Sequence, residues 1–252
     1  MADNRVQLVV NGASGRMGRL VCETLFSPEF EDRFRLVAPV AHTGSASLGK
    51  PCLVADHSDV PLIQEDFTGP CDVVIDFSTP EGTAHALEMA LNSRAALLVA
   101  VTGFSETQRK QIESAAETVP VLIAPNTSVG VNVVSALVEQ AVRRLGAGSR
   151  VEIIESHHRH KKDAPSGTAL MLGEAVRRAG ASMTSDQFHS LRGGGVIGEH
   201  TVRIFSHDDY LEIRHVATSR RLFAAGALRA ALWLAKRKSS PGLYSMDDVT
   251  AT

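Results

Sequence analysis

The stretch VQLVVNGASGRMGR (residues 6–19) joins a short apolar run to three glycines, Gly12, Gly15 and Gly18, spaced three apart. A run of this length bounded by turn residues reads as a buried strand, and the periodic segment after it as a helix, so the pattern predicts a strand over 6–10 and a helix over 16–26. Position matters more than the letters. Glycine permits a tight turn, close approach of backbone to a pyrophosphate and packing of helix on strand, while the helix start offers unpaired N–H groups and partial positive charge. Gly12, Ala13, Ser14, Gly15, Arg16 and Met17 are therefore candidates for holding a dinucleotide, with Ala13 where the commoner fingerprint has its second glycine. A turn that is only structural is the other reading of the same residues.

Outward from this turn the alternation continues. FRLVAPV (34–40), CDVVIDFS (71–78), AALLVAVTG (95–103) and VPVLIAP (119–125) read as strands buried on both faces. TPEGTAHALEMALNS (79–93) and SETQRKQIESAAE (105–117) read as helices, the first expected to start at Thr79 with its hydroxyl as cap and Pro80 in the first turn. After NTSVGVNVVSALVEQAVRRLGAG the alternation stops. A strand (150–156), a loop, a helix and paired strands come next, and GEHTVRIFS and YLEIRHVAT around HDD read as an antiparallel hairpin with one wet or partner-covered face. RRLFAAGALRAALWLAKRK (220–238) is too apolar to stand in solvent and should pack on a core. The expected fold class is α/β: an N-terminal Rossmann-type parallel-sheet domain plus an α+β domain, with the C-terminal helix packing back on the first. The expected boundaries are 1–127 with 220–252, and 128–219.

Composition excludes several classes. The 252 residues are 44 % hydrophobic, and 26 Lys+Arg against 28 Asp+Glu leave a net charge of -2, so nucleic acid and anionic membranes are not expected partners. No apolar run reaches the ~20 residues that cross a bilayer, and MADNRVQLVV lacks a basic segment followed by a cleavable apolar one, so a cytoplasmic location is expected. Cys22, Cys52 and Cys71 form neither a C-x-x-C pair nor an even set, and are expected to be reduced.

At the end of the second predicted strand, APVAHTGS carries no Asp or Glu for a ribose hydroxyl; Ala41 and His42 stand there instead. The cations Arg16, His42 and Lys50 would favour a 2′-phosphate or simply be solvated. The choice between NADH and NADPH stays open.

SHHRHKKDAPSGT (156–168) gathers three of the ten histidines. As metal ligands, neighbours on an extended segment point oppositely, and no further Cys or His pair supports them, so no metal is expected. A solvated basic face is the ordinary alternative. The residues just downstream argue against it: Ser166 can cap a helix over TALMLGEAVRRAG, and the N–H groups of Gly167 and Thr168 would then face a carboxylate or phosphate. Lys161 adds a full charge. A histidine beside such a pocket, with an ordinary pKa of ~6.5, is suited to proton transfer at neutral pH. Together the two features suggest a nicotinamide enzyme acting on a small acidic substrate.

GASGRMGR, DFSTPEGT (76–83), TGF (102–104), APNTSVGVN (124–132), GEHT (198–201), GALRAALWL (226–234) and above all HHRHKKDAPSGTA, with Glu155 before it, resemble the 4-hydroxy-tetrahydrodipicolinate (dihydrodipicolinate) reductase family over nearly the whole chain. The resemblance implies that His157 donates a proton and Lys161 polarises or protonates the substrate. It also implies that His158 and the Ser166, Gly167 and Thr168 segment hold its carboxylates. The cofactor, NADPH or NADH, would lie on Gly12 to Met17, near His42, on Ala100, Val101 and Thr102, and on Ala124, Pro125, Asn126 and Thr127. The implied reaction is reduction of a cyclic imine dicarboxylate with loss of water, in lysine and diaminopimelate biosynthesis. The second domain would bind substrate and join a homotetramer through its sheet. The chain departs from the family where Ala100-Val101 replaces Gly-Thr, where Thr127 replaces a common aromatic, and where the second-strand acid is missing. A dinucleotide sensor without catalysis, or another two-domain imine or aldehyde reductase, would share the fold.

Overall fold

The computed structural model describes residues 4–53, 60–146 and 148–251. The residues up to Thr127, together with those from Phe223 on, form one compact unit, and Ser128–Leu222 form another. The chain runs β1 (Val6–Asn11), α1 (Arg16–Leu25), β2 (Phe34–Val40), β3 (Val73–Asp76), α2 (Thr83–Ser93), β4 (Ala96–Val99), α3 (Glu106–Ala115) and β5 (Pro120–Ile123). It continues through α4 (Val129–Leu145), β6 (Arg150–His157), α5 (Gly167–Arg178), β7 (Phe188–Arg192), β8 (Gly198–Phe205) and β9 (Tyr210–Ala217). α6 (Arg221–Ala235), β10 (Gly242–Tyr244) and α7 (Met246–Thr250) complete it.

The first unit holds a six-stranded sheet in the order β10-β5-β4-β3-β1-β2, and every pairing is parallel. Parallel strands covered on both faces must be apolar throughout, and β3 and β4 are buried at every position. Val9, Val74, Leu97 and Val121 from the sheet pack with Leu87 and Ala90 of α2 and Ile112 of α3, each such side chain contributing roughly 1.5–3 kcal/mol. From β1 the chain goes one way to β2 and then returns past β1 to β3. The strand order therefore reverses between β1 and β3, where an open parallel sheet leaves a ligand crevice at its carboxyl ends.

α2 starts at Thr83, later than the expected cap at Thr79. The reason is local: the Thr79 hydroxyl accepts from Gly82 N–H (3.2 Å) and closes a turn, while the Thr83 hydroxyl donates to the buried Asp76 (2.6 Å). α6 packs back on the first unit, as its apolar pattern requires, burying Ala224, Ala227, Leu228, Ala231 and Leu234. After it, the Lys238 ammonium donates to Cys71 O (2.8 Å) and Asp72 (2.9 Å). β10, which the sequence pattern does not predict, then pairs with β5 and adds the sixth strand. Cys22, Cys52 and Cys71 are free and buried. Among the described residues no helix is long and apolar enough to cross a membrane.

In the second unit β7-β6-β8-β9 form a mixed sheet: β6 is parallel to β7 and antiparallel to β8, and β8 and β9 make the expected hairpin. Every second residue of β6 is buried, as is every second residue of β8. Val151, Ile153, Val202 and Ile204 pack with Val138 and Val142 of α4 and with Leu172 and Val176 of α5. Further along the buried row of β6, the next inward positions are Glu155 and His157. An apolar face thus runs into a charged one.

Candidate active site

In the first unit the turn after β1 is shaped for an anion. Gly12 sits at φ +78°, and a Cβ there would lie 2.7 Å from Phe77 O, so only glycine fits between this turn and the one after β3. Gly15 precedes α1 in an extended conformation, no side chain caps it, and the first turn holds no acid. Its N-terminal N–H groups are left for a ligand. Asp76 ties the two turns together, accepting from Asn11 Nδ2 (3.0 Å), Ser78 N (3.0 Å) and Thr83 Oγ1 (2.6 Å). Burial raises its carboxyl above the ordinary range, against the pull of those hydrogen bonds.

A cavity of about 760 Å³ opens here, lined by Gly12, Ser14 and Gly15, by Ser78 and Gly82, and by His42, Thr43, Glu65 and Asp66. Its size and glycine cradle fit a pyridine dinucleotide. Of the sequence candidates, Gly12, Ser14, Gly15 and His42 line it. Arg16 and Met17 begin α1 beside it, and Ala13 is buried within the turn, its N–H donating to Val40 O (2.9 Å). Arg16 and Lys50, weighed as cations for a 2′-phosphate, do not line the cavity; His42 alone of the three does. Ala100, Val101 and Thr102 follow β4, and Ala124, Pro125 and Asn126 follow β5, at the same carboxyl edge of the sheet. Thr127 is spent on the fold, its hydroxyl donating to Phe223 O (2.8 Å).

In the second unit His157 ends β6 with its ring buried. Its Nδ1–H donates to Glu155 Oε2 in a short hydrogen bond. Glu155 is fully buried and is clasped by Arg192, whose Nη1 lies 2.8 Å from Oε2 and Nη2 2.6 Å from Oε1, and Ser166 N–H adds a contact at 3.2 Å. β7 supplies this arginine because its parallel register places Arg192 opposite His157. Burial would raise the Glu155 carboxyl, but hydrogen bonds from Arg192, Ser190 and His157 outweigh it and hold the group at about 2. For His157 burial dominates and lowers the imidazole below its ordinary value; Glu155 pulls the other way, and Lys161 and Arg192 push further down.

With Nδ1 committed, Nε2 is the working nitrogen. A Cβ on Gly198 would stand 3.0 Å from it, so glycine keeps that atom clear. His200 packs edge-on to His157 with ring centres 5.1 Å apart, and its Nε2 meets Ser166 Oγ at 3.0 Å. Burial, aided by His157, lowers His200 to about 4, so it is neutral at pH 7.

Ser166 caps α5 as expected, its hydroxyl accepting from Ala169 N–H (3.2 Å). Buried and engaged by Glu155, Ala169 and His200, it holds the helix start in place. Gly167 opens on clear space, since a Cβ there would meet nothing within 4 Å. His158 donates its N–H to Val196 O (2.7 Å), and Lys161 Nζ lies 2.8 Å from the Asp163 carboxylate at the surface. Glu155, His157 and His200 offer three ligand atoms close enough for a metal ion, yet both Glu155 oxygens already accept from the Arg192 guanidinium, a cation where a second one would be repelled.

Glu155, and Gly198 and His200 within GEHT, are visible in the sequence without a role, and Arg192 carries no motif signal that would single it out. The signal for them is positional: inward residues of neighbouring strands around a histidine.

The family model described as dihydrodipicolinate reductase, N-terminus, matches residues 6–127, and that of the C-terminus matches residues 130–250. The chain is 40 % identical to a 4-hydroxy-tetrahydrodipicolinate reductase of Rubrobacter xylanophilus, over 98 % of this chain and 99 % of that one. Dipicolinate-bound dihydrodipicolinate reductase from Paenisporosarcina sp. TG-14 shares the fold with a TM-score of 0.76 at 22 % identity, covering 97 % of this chain and 99 % of that one. A probable dehydrogenase from Thermotoga maritima gives 0.60 at 12 % identity, covering 98 % and 93 %.

Proposed function

The chain belongs to the dihydrodipicolinate reductase family, and from that membership we propose that it reduces 4-hydroxy-tetrahydrodipicolinate to tetrahydrodipicolinate, with loss of water, in lysine and diaminopimelate biosynthesis. The observation that carries the reading is the buried chain Arg192–Glu155–His157 in the same unit as the open start of α5. When bound, NADH or NADPH would supply hydride to C4 of the cyclic imine, whose 4-hydroxyl leaves as water. Gly12 to Met17 and His42 would hold the dinucleotide, with Ala100 to Thr102 and Ala124 to Asn126 offering further contacts at the sheet edge.

His157 gives the proton to the carbon next to C4. Glu155 fixes its tautomer, so protonated His157 delivers from Nε2 and returns to a neutral ring that needs no reorientation. Burial lowers its pKa, which makes the charged ring a readier acid, and Glu155 offsets part of that lowering. Lys161 polarises the substrate; its surface pair with Asp163 is worth about 0–1 kcal/mol and exchanges readily for a ligand charge. His158 and the N–H groups of Gly167 and Thr168 take the carboxylates at the positive end of α5. Ser166 fixes that helix end.

Purified protein should oxidise NADH or NADPH only when 4-hydroxy-tetrahydrodipicolinate is present, with pyridine-2,6-dicarboxylate competing; turnover with neither nucleotide would overturn the reading. The protein is further read as a cytoplasmic homotetramer joined through the sheets of its second units. Tyr210, Leu211 and Val216, exposed on β9, support that reading. Light scattering should return four times the 26.9 kDa chain mass.

A further inference from the structure

Resting on the reading of the first unit as the nicotinamide dinucleotide site, we infer that Glu65 replaces the missing second-strand acid and makes the protein select NADH over NADPH. In a Rossmann sheet the ribose hydroxyls are met at the carboxyl end of β2, by an acid for NADH or by a cation when a 2′-phosphate is present. β2 ends in Val40-Ala41-His42 with no acid, but a later segment runs alongside it. Val40 and Gln64 form a parallel bridge, with Ala41 N–H donating to Gln64 O and Gln64 N–H to Pro39 O, both at 2.9 Å. Buried Ile63 anchors the segment through its bonds with Lys50 O (2.9 Å) and Gly49 N–H (2.8 Å). Glu65 and Asp66 therefore emerge at the β2 end, on the ligand side of the sheet.

Glu65 is aimed as well as placed. Its Oε1 accepts from the Thr43 hydroxyl at 2.5 Å, leaving Oε2 for a ribose hydroxyl, and both residues line the cavity. Asp66 stands beside it, its carboxyl held below the ordinary range by hydrogen bonds from His85 and Phe67 N–H. Among the described residues the lining contains these two carboxylates and Glu81 but neither lysine nor arginine. Arg19 stands behind the lining residue Ser14, donating to Ser14 O (3.1 Å) and Ser47 Oγ (3.2 Å). A 2′-phosphate, with nearly two negative charges, would meet like charge from these carboxylates, with the His42 and His85 rings rather than a guanidinium or ammonium as its side-chain neighbours.

The test is equilibrium titration of both reduced nucleotides on the intact protein, read by nicotinamide fluorescence and independent of turnover. A hydrogen bond to a charged acceptor is worth roughly a tenfold or greater change in affinity, so NADH should bind at least about tenfold more tightly than NADPH. The advantage should shrink as salt rises, because screening relieves the repulsion that NADPH alone suffers. Glu65→Gln, at an exposed position whose loss leaves the fold intact by circular dichroism, should bring the two affinities within about threefold. Equal or tighter binding of NADPH, or an advantage untouched in Glu65→Gln, overturns the inference while the nucleotide site stands. Binding of neither nucleotide overturns both.

Discussion

A buried carboxylate standing alone costs several kcal/mol, and Glu155 tolerates its position only because Arg192 meets both of its oxygens. What it does for His157 is to accept the Nδ1 proton, an assignment that Glu155→Gln would scramble. The amide can donate to Nδ1 and so place the proton on the wrong nitrogen while keeping the shape. Aspartate-to-asparagine changes behind a catalytic histidine show how large that effect is, and Glu155→Gln should lower kcat by about a hundredfold or more with KM changed little. His157→Gln and Lys161→Ala should also lower kcat severely and leave nucleotide affinity nearly intact, which steady-state kinetics with a binding titration checks; unaltered kcat in both would remove their roles. At this scale the sequence is legible where chemistry is local. His157, Lys161 and the Ser166 cap lie within ten residues of one another, whereas Arg192 reaches Glu155 only because β7 lies parallel to β6, a register that no short-range pattern encodes.

Elements are legible in proportion to their burial. β1 to β5 are mostly apolar and stand out in the sequence, but β7 is exposed along most of its length, with no alternation, and β10 has three residues. Neither carries a periodicity to read. The start of α2 departs from its expected place for a different reason: Thr79 and Thr83 both suit a helix cap, and the buried Asp76 decides between them by taking the Thr83 hydroxyl. The joint between the turn after β1 and the turn after β3 gives a prediction of its own. Gly12→Ala adds a carbon 2.7 Å from Phe77 O at φ +78°, which strains the turn by roughly 1–3 kcal/mol. Urea denaturation should show that loss, and NADH affinity should fall with it. An alanine variant of full stability and affinity would mean that the two turns part at no cost.

For the whole molecule, the two-unit plan is readable because the strand–helix alternation stops after Thr127 and the closing helix is too apolar for solvent. What the sequence does not convey is how much of the second unit's stability hangs on charge. His200 is held at about 4 and His157 is lowered in the same direction, so between pH 6.5 and 4 the unfolded chain binds protons that the folded chain refuses. Stability is therefore complete above pH 6.5 and falls as the pH drops towards 4, by about 3 kcal/mol for His200 alone. Glu155 extends the loss to lower pH. The unfolded carboxyl is protonated near 4.5 and the folded one only at about 2, so its contribution disappears across that second window. His200→Gln places an amide near the position of Nε2, where it can still pair with Ser166 Oγ, and removes the titrating ring. Urea unfolding followed by circular dichroism should then lose most of the slope between pH 6.5 and 4 while the decline below pH 4.5 remains. A variant that keeps the full slope in the upper window would place the acid sensitivity outside His200.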